Sequence, residues 1–234
     1  MKKNIWLLII MLVAPATAQT WELVNPLPAG RADDIAIGYT NGGAQRLYIA
    51  DQLSWPFKST NGGVTWDSLF HELSYRPNAI ITIPDDAEKI WIARKGDGVL
   101  YSRNAGATWV WRIEGLTNLY VLTLEMAPDN PSVIFAGCYS NPSNPQPNVF
   151  KTTNGGLTWA PTQGYPPVSD VYDIETPGAP YDILLAGCNG GIYRSSDGGT
   201  NWQLKYSGIA YDICRDPSND GCFYAAVQND GQGK

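Results

Sequence analysis

The most regular chemistry in the chain sits in four octapeptides, Ser59–Trp66, Ser102–Trp109, Thr152–Trp159 and Ser195–Trp202. Each reads Ser/Thr-x-Asn/Asp-x-Gly-x-Thr/Asn-Trp, so hydroxyl, carboxamide or carboxylate, glycine and indole recur at fixed offsets. Two chemistries suit that set. The acidic position could supply catalytic carboxylates or calcium ligands, or it could bond its own backbone in a tight turn. Asn61, Asn104 and Asn154 cannot act as general acids or bases, and only Asp197 keeps the acid. Turn chemistry accounts for every position. Asn and Asp side chains bond the backbone two residues on, Gly63, Gly106, Gly156 and Gly199 tolerate positive φ, and Trp66, Trp109, Trp159 and Trp202 each offer a large apolar face for packing between sheets. The octapeptides are therefore read as structural. One histidine, His71, disfavours His-based zinc sites and leaves a Ser-His-Asp triad dependent on a residue with no recognisable Ser and Asp partners. No metal site and no cofactor is expected.

The elements that position these groups repeat with them. The four tryptophans are 43, 50 and 43 residues apart. Before each octapeptide lies a β-rich run ending in alanine: Leu47–Ala50, Ile90–Ala93, Val133–Ala136 and Ile183–Ala186, with a fifth copy at Cys222–Ala225. Apolar strands running into turns at Pro84, Pro128, Pro177 and Pro217, and strands such as Gly98–Ser102 and Gly191–Ser195, bring each repeat to about four strands. Four strands per roughly 40–50 residues is the period of a β-propeller blade. The expected fold is all-β, a propeller of four-stranded blades at 33–69, 78–113, 119–162 and 171–206, with a partial blade at 209–234. Composition agrees: 24 Gly, 17 Pro and 9 Trp with 16% charged residues suit short strands and tight turns, and 44% hydrophobic residues argue against disorder.

The octapeptide resembles the Asp-box, also called the BNR repeat, Ser-x-Asp-x-Gly-x-Thr-Trp, with Asn in place of Asp in three copies. The resemblance implies a superfamily that includes sialidases, photosystem II assembly factor-like proteins and sortilin-like receptor domains. In the enzymes of that superfamily the active site lies on the face opposite the boxes. Here that face would be built from loops at 51–57, 94–98, 137–148 and 187–191 and from the connections at 70–78, 114–119 and 163–170. They carry the ligand-face candidates Trp55, Tyr75, Arg76, Arg94, Asp97, Tyr139 and Tyr165. Exposed aromatics among a few charges could stack on sugar rings or anchor a protein.

Neither enzyme type makes a complete match. A sialidase needs three arginines, a Tyr–Glu pair and an acidic Asp, the first arginine usually within Arg-Ile-Pro. The nearest segment, Gly30-Arg31-Ala32-Asp33, lacks Ile-Pro. A xyloglucan-cleaving hydrolase resembles Ala-Arg-Thr-Asp-x-Gly-Gly at one catalytic Asp. The counterpart Ala186-Gly-Cys-Asn189-Gly-Gly carries Asn, and Ala93-Arg-Lys-Gly-Asp97-Gly keeps an Asp in a broken motif. No catalytic residues are assigned. The expected function is a binding or scaffold module for a protein or polysaccharide partner, the alternative a glycoside hydrolase with part of its site beyond residue 234.

Residues 1–18 carry Lys2 and Lys3, an apolar run Ile5–Ala14 and a small-residue end Ala16-Thr17-Ala18, the three parts of a secretory signal peptide cleaved after Ala18. The run is too short for a permanent span, so a secreted or periplasmic protein with no membrane segment is expected. Cleavage takes the net charge from −6 to −8, which disfavours nucleic acid. Outside the cytoplasm cysteines can oxidise: Cys214 and Cys222 flank a turn and could bridge, while Cys138 and Cys188 hold equivalent packing places. Thr20–Val24 reads as a box end and a fourth strand, and the fifth blade lacks a box, so a fragment of a longer ring is expected.

Overall fold

The computed structural model describes residues 32–51, 55–70, 77–140, 147–164, 166, 170–216, 218, 219 and 221–228. It is all-β, with antiparallel sheets whose strands follow one another in chain order. The first sheet holds β1 (Asp34–Tyr39), β2 (Gln45–Ala50), β3 (Phe57–Ser59) and β4 (Asp67–Ser68). The second holds β5 (Pro77–Ile83), β6 (Asp86–Arg94), β7 (Gly98–Ser102) and β8 (Val110–Trp111). The third holds β9 (Val121–Met126), β10 (Ile134–Cys138), β11 (Val149–Thr152) and β12 (Ala160–Pro161). The fourth holds β13 (Val171–Glu175), β14 (Leu184–Cys188), β15 (Gly191–Ser195) and β16 (Gln203–Tyr206). A two-stranded sheet pairs β17 (Ile209–Arg215) with β18 (Phe223–Gln228). Up-and-down sheets of four strands are propeller blades. Among the described residues no helix is long and apolar enough to cross a membrane.

The chain divides into two compact units, Met1–Ile92 with Tyr101–Trp109, and Ala93–Leu100 with Val110–Lys234. In the first, Ala36, Tyr48, Ala50, Ile80, Ile90 and Ile92 form an apolar core on which Phe70 and Trp109 pack edge to face, centroids 5.3 Å apart at 88°. The fully buried aliphatic side chains contribute about 1.5–3 kcal/mol each. Tyr48 is buried too, and its hydroxyl donates to the Ala87 carbonyl at 2.6 Å, which satisfies the one polar atom that burial would otherwise orphan. A carboxylate ties the innermost strands: Asp34 Oδ2 accepts from Ile80 N at 2.8 Å.

The second unit repeats the scheme. Phe135, Val149, Val171, Ile174, Leu184 and Ala186 form its core, joined by the buried Cys188, while β13 packs against both β9 and β17. The tight approach depends on Ala136-Gly137-Cys138 and Ala186-Gly187-Cys188, the ends of β10 and β14. A Cβ on Gly137 would stand 2.6 Å from Val171 Cγ1, and one on Gly187 would stand 3.1 Å from the Ala210 carbonyl oxygen. Cys138 and Cys188 are buried, and burial pushes both thiols well above their ordinary range, as suits packing groups.

All four boxes close by one hydrogen-bond pattern. Ser59 Oγ accepts from Gly63 N at 2.8 Å and donates to Asn61 Oδ1 at 3.0 Å, while Asn61 Oδ1 accepts from Thr65 N at 2.9 Å. The same bonds join Ser102, Asn104, Gly106 and Thr108; Thr152, Asn154, Gly156 and Thr158; and Ser195, Asp197, Gly199 and Asn201. Donors from Asn201 and Ser195 hold the Asp197 carboxyl below its usual range, so it stays ionised as an acceptor. Two successive left-handed residues turn each box, Gly62 and Gly63 at φ 70° and 86°, and in the second box Ala105 takes the first place at φ 52°. Ala105 shows that the first place tolerates a side chain, whereas a Cβ on Gly106 would lie 2.6 Å from Leu69 Cδ2. Gly62→Ala is thus expected to cost about 1 kcal/mol and Gly106→Ala about 2–3 kcal/mol in urea unfolding. Equal losses would show that the turn, rather than the contact with Leu69, sets the requirement for glycine.

Candidate functional site

The register separates the two ends of each blade. In the third sheet Val121 pairs with Cys138 and Gly137 with Val149 at one end, while Met126 pairs with Ile134, and Ile134 with the box residue Thr152, at the other. The starts of β9, β13 and β17 therefore lie away from the boxes. At these starts each inner strand carries one extra residue. The pairing skips Leu122 opposite β10, Tyr172 opposite β14 and Tyr211 opposite β18. A bulge of this kind re-aims the side chain it carries. Tyr172 and Tyr211 consequently meet as a stack, centroids 5.6 Å apart at 28°.

A second aromatic pair stands one blade away. Tyr139 N donates to the Tyr120 carbonyl at 2.9 Å, and the two rings lie 6.2 Å apart with Lys95 Nζ 4.9 Å from the centre of the Tyr139 ring. Asn118 holds this corner, donating through Nδ2 to the carbonyls of Tyr139 at 2.9 Å and Pro147 at 3.2 Å. Asp170 links the pairs: its Oδ1 accepts from Ser140 N at 2.9 Å and its Oδ2 from the Tyr172 hydroxyl at 3.4 Å. Burial and the Asp170 carboxylate push the Tyr172 phenol above its ordinary range, so it remains a donor. Tyr211 donates to Gln228 Oε1 at 3.0 Å. Tyr120 and Tyr211 are 51% and 50% exposed and Tyr139 is 37% exposed, so aromatic faces are offered to solvent.

Next in chain to Tyr172 lies an unusually weak carboxylic acid, Asp173. Asp173 Oδ2 accepts from Ile213 N at 2.7 Å and Glu175 Oε1 from Arg215 N at 3.2 Å, repeating the Asp34 tie. Burial, reinforced by Asp212 and Glu175, pushes the Asp173 carboxyl up to about 7. Glu175 is raised as well, chiefly by burial. Among the described residues no three His, Cys, Asp or Glu side chains converge as a metal-ligand set.

Of the candidates chosen from sequence, Tyr139 is on this surface. Arg94 is not available to a ligand. It is fully buried, its Nη1 2.9 Å from Asp97 Oδ2 and its guanidinium 5.7 Å from the centre of the Trp111 ring, and Asp97 is committed to the same ion pair. Burial lowers the Arg94 pKa, with Asp97 opposing. Trp55 is half-buried, in the other unit. Tyr75, Arg76 and Tyr165, like His71 and the segment 1–18, lie outside the described residues. Cys214 and Cys222 are both free thiols: the hairpin register sets Cys214 opposite Tyr224, which leaves Cys222 diagonal to it. A diagonal pair sits about 7–8 Å apart at Cα, beyond the usual span of a disulfide. Sequence reasoning missed Tyr120, Tyr172 and Tyr211. The signal was the repeated triplet Tyr172-Asp173-Ile174 and Tyr211-Asp212-Ile213 at one blade position.

No family model matches the chain. Among curated proteins it is 28% identical over 124 residues to vacuolar protein sorting/targeting protein 10 of Clavispora lusitaniae, covering 50% of this chain and 8% of that one. Among solved structures it is similar to an ancestral GH74 enzyme, with a TM-score of 0.66 at 22% identity over 90% of this chain and 29% of the other. The GH74 xyloglucanase of Xanthomonas campestris superposes with a TM-score of 0.64 at 13% identity, over 83% of this chain and 34% of the enzyme. The extracellular domain of a putative hybrid two component system of B. thetaiotaomicron gives 0.63 at 12% identity, over 85% and 26%. The chain thus spans about a third or less of each of these three solved structures. Its hydrogen-bonded boxes and up-and-down sheets, with these neighbours, define its fold as an all-β propeller of four-stranded blades.

Proposed function

We propose that the protein is a secreted or periplasmic binding module that takes its ligand at the starts of β9, β13 and β17, with residues 1–18 as the signal peptide. The observation that carries this reading is the pair of aromatic contacts there, Tyr120 with Tyr139 and Tyr172 with Tyr211, presented to solvent on rigid strand ends instead of on long loops. Rigid aromatic rings supply large contact area at small entropic cost, which is why they dominate binding sites. The partner is a polysaccharide or a protein. A second reading, a glycoside hydrolase, is favoured by the Asp173 carboxyl, whose pKa of about 7 suits a general acid.

A glycan array together with a fluorogenic glycoside panel separates the two. The binding module predicts retention of a ligand without turnover. Hydrolysis that disappears in Asp173→Asn would replace it with the enzyme. Mass spectrometry of the exported protein starting at Gln19 would support the proposed cleavage, whereas a protein retained in the cytoplasm with Met1 intact would overturn it.

A further inference from the structure

Resting on the proposed binding face, we propose that its ligand is an extended, uncharged polysaccharide, bound with one sugar ring over the Tyr120–Tyr139 pair and another over Tyr211. Three observations carry this. The aromatic pairs belong to successive blades and are joined through one side chain, Asp170, which accepts from Ser140 N behind Tyr139 and from the Tyr172 hydroxyl. The surface is thus a row of spaced flat rings, which suits a ligand whose own rings repeat. Second, the side chains that bond the ring hydroxyls are acceptors: the Asp170 carboxylate, which meets the Tyr172 hydroxyl, and the Gln228 amide oxygen, which meets the Tyr211 hydroxyl. Acceptors beside aromatic faces match a sugar, whose C–H face is apolar and whose edge is a fringe of hydroxyl donors. A protein hot spot would instead want a desolvated apolar pocket around the rings. Third, charge selects against anionic polymers. The chain carries −6 overall, and Lys95, seated over Tyr139, is the one cation in the cluster described above.

The test uses the full chain on an array of neutral oligosaccharides of about six units, followed by calorimetry with the best-retained one and its trisaccharide half. Oligogalacturonate and a lysine-rich peptide serve as charged probes. The expected result is saturable binding of the neutral hexamer, about tenfold weaker for the trimer. Tyr211→Ala and Tyr139→Ala should each weaken it about tenfold with unchanged thermal unfolding, whereas Tyr211→Phe, which keeps the ring, should stay within about threefold. Failure of every neutral oligosaccharide to bind would overturn the proposal. If a charged probe binds and loses affinity in Tyr211→Ala, the ligand class is wrong and the binding face stands. If neutral glycans bind equally well to both alanine variants, the face itself is wrong.

Discussion

Replacing Gly137 with valine is expected to cost about 3 kcal/mol of stability, more than any conservative change on the box turns. The strand end Ala136-Gly137-Cys138 lies beneath the first residue of the next blade's inner strand, and a Cβ on Gly137 would meet Val171 Cγ1 at 2.6 Å and Thr123 Cγ2 at 2.7 Å. Both obstacles are β-branched side chains on paired strands, so neither can rotate away without leaving its favoured rotamer. Adding an isopropyl group forces β9 and β13 apart, and with them Ile174 and Phe135 in the core behind. Denaturant unfolding checks the number, and Gly137→Ala should fall between wild type and valine. A loss below about 1 kcal/mol for valine would mean that the blades can slide at this contact. Relaxation of Val171→Ala in the valine background, with recovery of part of the loss, would locate the clash.

Asp173 should make the folded protein less stable at neutral pH than in mild acid. Its carboxyl is raised from 3.8 to about 7 in the folded state. The folded protein therefore binds the proton more tightly than the unfolded chain, and the stabilisation is complete below the unfolded value of 3.8 and lost as pH rises through about 7. At about 1.4 kcal/mol per pH unit, reduced by partial exposure, the fall across that window is about 3 kcal/mol. Asp173→Asn keeps an oxygen for the Ile213 N–H and carries no charge, so it should flatten this slope and exceed wild type by about 3 kcal/mol near pH 8, with little difference near pH 4. Parallel unfolding curves at the two pH values for wild type and variant decide it. Identical slopes would show that Asp173 is hydrated well enough to ionise normally. The raised Glu175 pKa adds to the wild-type slope in the same direction and survives in the variant, which separates the two groups.

The fold was legible in the chain because its determinants are local and repeated. The recurring side-chain bonds of each Asp-box span two or four residues, so Ser102, Asn104, Gly106 and Thr108 specify their turn from within eight residues. Runs such as Ile90–Ala93 and Val133–Ala136 are apolar on both sides because a central propeller strand is covered on both faces. The candidate site was legible only in part. Tyr139 stood in a recognisable loop, but Tyr172 and Tyr211 sit inside strands, where alternation alone does not say which residue escapes the pleat. Arg94 carried the charge expected of a ligand contact, and nothing around it in the chain told that Asp97 and Trp111 would enclose it.

From sequence alone, then, came the boxes, the four-stranded repeat and the blade order, all consequences of turn chemistry and side-chain period over a few residues. Only the tertiary structure decided what the blades present to one another and to solvent. Asp173 meets Ile213 across 40 residues of sequence, Tyr172 and Tyr211 stack across two blades because both strands bulge at the same place, and Gly137 must be small because Val171 arrives against it. Each of these depends on where a bulge or a neighbouring sheet falls, and that is settled by the packing of whole blades, which no window of residues contains.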